Sequence, residues 1–173
     1  MVGSFLKPYK NVNKKHYKKT ILLLIINFFL RKMPNRKCLY KLKKSSTKTR
    51  VRYSETDQMG VVYHGNYAQY FELGRTEWLR NLGVTYKDME NKGIMLPVIS
   101  LTCNFKKSAL YDDMLTITTF LVKKPMVKID FIYEIVNEQN EMICTGNSTL
   151  AFIDMKTEKP TRCPDYLLDK LGF

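Results

Sequence analysis

The sequence predicts an α+β domain in which a curved antiparallel five-stranded sheet wraps one long central helix. Three observations predict it. A single apolar stripe recurs at helical spacing through Tyr67, Tyr70, Phe71, Gly74, Trp78 and Leu82. Four β-rich runs follow that stripe, and the gaps between them are turn-sized, which favours antiparallel neighbours. At 173 residues the chain suits one domain with a buried core.

Taken in order, TKTRVRYSE (residues 47–55) reads as the first strand, with Val51 and Tyr53 on one face and Arg50 and Arg52 on the other. The loop ETDQMG ends it. After VVYHG, Asn66 is expected to cap the helix and Gly83 to close it. The helix's polar side carries Gln69, Glu72, Arg75, Glu77 and Arg80, with Glu77 pairing to Arg75 or Arg80. Gly74 sits in mid-helix, where glycine costs about 1 kcal/mol against alanine, so a close approach to the sheet is expected there.

The β-rich runs are MLPVISLTCNFKK (95–107), MLTITTFLVKK (114–124), MVKIDFIYEIVNE (126–138) and MICTGNSTLAFID (142–154). LYDD, a Lys124-Pro125 pair and NEQNE separate them, the last as a hairpin turn. A short closing helix is expected from Pro164, with Asp165 in its first turn.

Charge divides the chain. Residues 1–50 hold 15 of the 29 Lys and Arg and none of the 16 Asp and Glu, so the other 123 residues carry a net charge of −2. The overall +13 therefore belongs to the N-terminal segment, and no nucleic-acid surface is expected on the folded part. Residues 1–45 are read as a basic extension outside the fold and residues 46–173 as the domain. The apolar run ILLLIINFFL (21–30) is about half a bilayer span and lacks a signal-peptide cleavage site. It reads either as an accessory extension, with translation starting at Met33, or as a surface helix through which residues 14–32 touch anionic lipid. Cys38, Cys103, Cys144 and Cys163 lack metal-site spacing, and His16 and His64 are the only histidines. They are expected to be reduced thiols in a cytoplasmic protein, with no metal bound.

The chemistry concentrates in RYSETDQMGVVYHGNYAQYFELGRTEWLR, residues 52–80. Here the carboxylate of Asp57 stands beside a helix start. Unpaired N–H groups and the helix dipole at such a start can hold a carbonyl oxygen that becomes negative during attack. An isolated loop aspartate is ordinarily a turn former, and an asparagine at Asn66 an ordinary cap.

The tract TDxxGVVYHxNYxxYFExxRTEWL, Thr56 to Leu79, raises Asp57 above that reading. With the element order, it resembles the hot-dog-fold acyl-CoA thioesterases, specifically the 4-hydroxybenzoyl-CoA thioesterase group and its Tol-Pal-associated branch. The resemblance covers about residues 47–165 and none of the first 45. It implies hydrolysis of an acyl-CoA thioester to a carboxylic acid and coenzyme A, without metal or redox cofactor. It also implies homodimers or homotetramers with active sites between subunits. By that resemblance Asp57 is the essential acid group, as general base or as nucleophile, and the N–H of His64 polarises the thioester carbonyl. Tyr63, Gly65, Asn66, Tyr67 and Glu72 are the expected substrate-binding residues. Lys106, Lys107, Lys123, Lys124 and Lys128 are placed either to meet coenzyme A phosphates or to lie as solvated strand edges. Three alternatives stay open: an acyl-carrier-protein thioesterase, a non-catalytic acyl-CoA-binding module, and a dehydratase in which the His64 side chain is indispensable.

Overall fold

The protein is described here by a computed structural model over residues 43–173. The expectations for the apolar run, for Met33 and for lipid contact by residues 14–32 lie outside the described residues.

Strand β1 (Lys44–Arg50) opens ahead of the expected boundary at residue 46 and ends sooner than expected. Beyond it Val51 turns into the core at 1% exposure, while Tyr53–Glu55 form a 3-10 turn with the Tyr53 ring in solvent. Local bonds cause the break. The Arg52 N–H donates to Glu55 Oε2 at 2.8 Å and the Thr56 hydroxyl to Tyr53 O at 2.8 Å, in competition with a strand ladder.

The expected five-stranded antiparallel sheet is present, in the order β1, β4 (Met114–Leu121), β5 (Lys128–Val136), β6 (Met142–Ala151), β3 (Val98–Phe105). β1 pairs with β4 from Lys44 opposite Phe120 to Arg50 opposite Met114. NEQNE forms the β5–β6 hairpin turn, where Asn137 Oδ1 accepts from the N–H of Gln139 and of Glu141. Alternation along β4 and β5 sends Leu115, Ile117, Thr119, Leu121, Ile129, Phe131, Tyr133 and Ile135 inward. Full burial of such apolar side chains contributes about 1.5–3 kcal/mol each.

Helix α1 (Asn66–Asn81) lies against that inner face and buries Tyr67, Tyr70, Phe71, Gly74, Trp78 and Leu79. Gly65, not Asn66, occupies its N-cap, because the Asn66 amide donates instead to the Glu55 carbonyl at 2.7 Å. Gly83 closes the helix as expected, with φ +69°. Gly74 meets the sheet as its cost predicts: a Cβ there would stand 2.5 Å from Thr119 Oγ1 and 2.8 Å from Ile117 Cγ2. Phe71 stacks on Tyr133 with ring centroids 4.4 Å apart.

Arg75 departs from the solvated polar face assigned to it and is 5% exposed. The cause is helix α2 (Tyr86–Asn91), for which the sequence reading has no counterpart. It covers that flank, and Arg75 Nε donates to the Tyr86 hydroxyl at 3.2 Å. A reciprocal capping box between Thr85 and Asp88 starts α2. β2 (Ile94–Met95), β7 (Ile153–Asp154) and β8 (Lys159–Pro160) make a separate small sheet. Helix α3 (Asp165–Leu171) begins after Pro164 as expected and buries Leu167 and Leu171. Among the described residues no helix is long and apolar enough to cross a membrane.

Candidate active site

The Asp57 loop is a tight turn held by its own backbone. The Asp57 N–H donates to Val61 O at 2.9 Å, and the Gly60 N–H returns to Asp57 O at 2.9 Å. Gly60 takes φ +76°, which suits glycine. One carboxylate oxygen, Oδ1, accepts from the Met59 N–H at 2.8 Å. Short bridges then stitch the segment into the fold: Thr56 pairs with Val62, Val61 with Leu110, and the Val62 N–H donates to Ala109 O at 2.9 Å.

Glu55 accepts four hydrogen bonds, two of which, from Asn66 and Tyr70, tie this loop to α1. Its carbonyl accepts from the Tyr63 N–H at 2.9 Å and from the Asn66 amide at 2.7 Å. Its Oε2 accepts from the Arg52 N–H at 2.8 Å and from the Tyr70 hydroxyl at 2.9 Å. Burial, together with the bond to Glu55, pushes the Tyr70 phenol far up, so the hydroxyl stays protonated and donates. Sequence reasoning missed Glu55. Its signal is slight: one acidic residue two positions before Asp57.

An open cleft of about 260 Å³ lies at the junction of loop and helix. Asp57, His64 and Tyr67 line it together. Val61, Val62 and Phe105 supply apolar wall, and Lys106 and Lys107 reach it from the segment after β3. Phe105 stands edge-on to Tyr67 with ring centroids 5.0 Å apart. Burial raises the Tyr67 phenol to about 12, which keeps it neutral at physiological pH. The backbone N–H groups of His64 and Gly65 donate to no acceptor among the described residues. They stand at the turn into α1, where such donors are free for an incoming oxygen.

The other expected substrate residues do not line this cleft. The Tyr63 ring lies against the His64 ring at 4.2 Å between centroids, and a Cβ on Gly65 would stand 2.7 Å from Tyr63 Cε1. Asn66 is spent on Glu55. Glu72 is exposed and pairs with Arg75 Nη2 at 3.0 Å, because α1 turns that position away from the cleft. Lys123 pairs with Asp130 at 3.0 Å, Lys124 lies over the Phe173 ring, and neither they nor Lys128 line it. Among the described residues no group of three His, Cys, Asp or Glu is placed to hold a metal.

A long helix wrapped by a five-stranded antiparallel sheet, with a carboxylate set before the helix start, defines a thioester hydrolase of hot-dog fold. The chain belongs to the thioesterase-like superfamily, whose family model matches residues 51–171. It is 36% identical over 116 residues to a putative acyl-CoA thioesterase, YneP, of Bacillus subtilis, covering 67% of this chain and 84% of that one. It is 30% identical to the acyl-CoA thioester hydrolase YbgC of Escherichia coli, covering 66% and 86%. Among solved structures, a DHNA-CoA thioesterase from Staphylococcus aureus superposes with a TM-score of 0.69 at 42% identity, covering 73% of this chain and 85% of that one.

Proposed function

We propose that the protein hydrolyses acyl-CoA thioesters to the free acid and coenzyme A, with Asp57 as the acid group and the His64 N–H as the carbonyl donor. One observation carries this reading: Asp57 and His64, whose backbone N–H donates to no acceptor among the described residues, line the same cleft. A thioester is already activated toward acyl transfer. It needs an oriented attacking group, worth about 10²- to 10⁴-fold, and a donor for the oxyanion, worth about 10²- to 10³-fold.

With Oδ1 engaged by Met59, Asp57 Oδ2 is the oxygen that takes a proton from water or attacks the carbonyl carbon itself. In the first route water adds to the carbonyl as Asp57 takes its proton, and the tetrahedral oxyanion collapses to expel the coenzyme A thiolate, which takes up that proton. In the second the carboxylate displaces the thiolate to form a mixed anhydride, and water opens it to the free acid and the restored Asp57 carboxylate. The rings of Tyr67 and Phe105 favour an aromatic acyl group, in line with the substrate named for the S. aureus relative.

A second copy of the chain completes the site in this reading. β3 is the outer strand of the sheet on the cleft side, and it exposes Val98, Ile99, Leu101 and Phe105. Such an edge pairs readily with its own copy, giving a dimer or, by further association, a tetramer. The free thiols of Cys103, Cys144 and Cys163 fit a reducing, cytoplasmic setting.

Thiol release from a panel of acyl-CoA esters tests the proposal. 1,4-Dihydroxy-2-naphthoyl-CoA is expected to exceed short aliphatic acyl-CoA esters in kcat/KM. Binding of the panel without release of thiol by any member would overturn the hydrolase.

A further inference from the structure

Phe105, Lys106, Lys107 and Ser108 form one continuous wall of the Asp57 cleft. The same stretch of chain runs on to Ala109 and Leu110. There Ala109 O accepts from the Val62 N–H at 2.9 Å and Leu110 bridges to Val61, both partners lying between Asp57 and His64. A shift of this wall therefore changes the cleft and is passed on to the segment that joins the two reacting positions.

The regular β3–β6 register ends at Phe105, opposite Cys144. Past it, the N–H groups of Lys106 and Lys107 converge on one acceptor, the Ile143 carbonyl, at 2.8 and 3.2 Å. A side chain supplies a further tie. Lys107 Nζ donates to Glu141 Oε1 at 2.5 Å.

Glu141 stands just before β6 and is not among the residues that line the cleft. Its other oxygen, Oε2, accepts from Asn137 Nδ2 at 3.0 Å. Asn137 is fixed in turn: its Oδ1 accepts from the Gln139 and Glu141 N–H groups, and its own N–H donates to the Glu141 carbonyl at 3.1 Å. Both oxygens of one carboxylate are thus committed, one to the β5–β6 turn and one to the cleft wall. An exposed ion pair ordinarily contributes little, because two long side chains must be ordered to form it. Here the turn has already ordered Glu141, so only the Lys107 chain remains to be fixed.

We propose that Glu141 is a positioning residue of the cleft: acting through Lys107, it fixes the 105–110 wall against the β5–β6 turn and so sets how tightly acyl-CoA is held. The inference rests on the acyl-CoA hydrolase reading for its substrate, and on a carboxylate outside the cleft for its geometry.

The test uses the full chain as wild type, Glu141→Gln, Glu141→Ala, Lys107→Ala and the double variant Glu141→Ala/Lys107→Ala. Thiol release from 1,4-dihydroxy-2-naphthoyl-CoA is measured beside amide hydrogen exchange of residues 105–110 without substrate. Glu141→Ala is expected to raise KM about threefold and to keep kcat within about twofold. Glu141→Gln, which accepts through one oxygen only, should fall between it and the wild type. In about 1 M salt, which screens the exposed pair, the KM ratio of Glu141→Ala to wild type should approach one. The double variant should have no higher KM than Lys107→Ala, because Glu141 acts through that side chain. A KM lowered by Glu141→Ala would mean that the pair only masks the Lys107 charge, and would overturn the positioning role. Additive losses in the double variant would overturn it too, as would exchange at 105–110 that is unchanged in Glu141→Ala. Faster exchange confined to that stretch in Glu141→Ala, from a wild type that releases no thiol, would support the positioning role and overturn the hydrolase.

Discussion

The Tyr70 hydroxyl donates to Glu55 Oε2 at 2.9 Å, so the second turn of α1 holds the loop that carries Asp57. Glu55 precedes Asp57 by two residues, and its other oxygen contacts lead to the Arg52, Tyr63 and Asn66 donors. The pose of the Asp57 loop is thus a property of the helix as much as of the loop.

Removing that tie separates positioning from chemistry. Tyr70→Phe deletes the donor while keeping the ring, and is expected to lower stability by about 1–2 kcal/mol in urea unfolding. Its kcat should fall while KM for acyl-CoA changes little. Glu55→Gln, which keeps an acceptor for Tyr70, should retain more activity than Glu55→Ala. Equal activity in the two Glu55 variants would argue against a positioning role.

Asp57→Asn is expected to reduce thiol release by about 10²- to 10⁴-fold with the fold intact by circular dichroism. His64→Ala should cost less, since alanine keeps the backbone N–H. A larger loss in His64→Ala would transfer the chemistry to the imidazole and favour the dehydratase alternative.

Gly74→Ala sets helix propensity against packing. Alanine is better by about 1 kcal/mol in a free helix. Here its methyl would meet Thr119 Oγ1 at 2.5 Å and Ile117 Cγ2 at 2.8 Å, and overpacking of this kind typically costs about 1–3 kcal/mol. A net loss of stability is expected in chemical denaturation. A gain would mean that α1 stands off the sheet.

Acid should weaken the β5–β6 pair through Asp130. Burial raises the Asp130 pKa, but hydrogen bonds from Thr149 at 2.7 Å and Lys123 at 3.0 Å outweigh it and hold the carboxyl below its usual 3.8. A depressed folded-state pKa contributes stability that is present above the unfolded value and lost as pH falls through the native one. Urea midpoints of the wild type should therefore drop more steeply than those of Asp130→Asn below about pH 4. Parallel acid limbs would refute the pairing.

Leu101→Lys places a charge on the exposed edge strand β3, away from the residues that line the cleft. Light scattering should then report a smaller species than the wild type at equal concentration. Unchanged mass would place the subunit contact elsewhere.

Much of the fold was legible because two periodicities do not overlap. The stripe from Tyr67 to Trp78 steps by three and four, while β4 and β5 step by two, and each pattern has one face to bury. Arg75 was misplaced because its spacing is polar-face spacing. What buries it is α2, an element defined by a four-residue capping box rather than by periodicity. β1 was misjudged at its end because side-chain bonds within residues 52–56 outcompete the ladder.

The sequence alone determined the helix-and-sheet architecture, the family tract from Thr56 to Leu79, and Asp57 with His64 as neighbours of a helix start. These follow from local propensity and spacing, which act over a few residues. Only the tertiary structure decided which tract residues share a cleft. It admitted Tyr67, excluded Tyr63, Asn66 and Glu72, and brought in Phe105 from the end of β3 and Lys106 from just after it. It also set Tyr111 against Tyr53 across 58 residues of chain. Sheet curvature and strand pairing bring such distant segments together, and that information is carried by the folded chain as a whole.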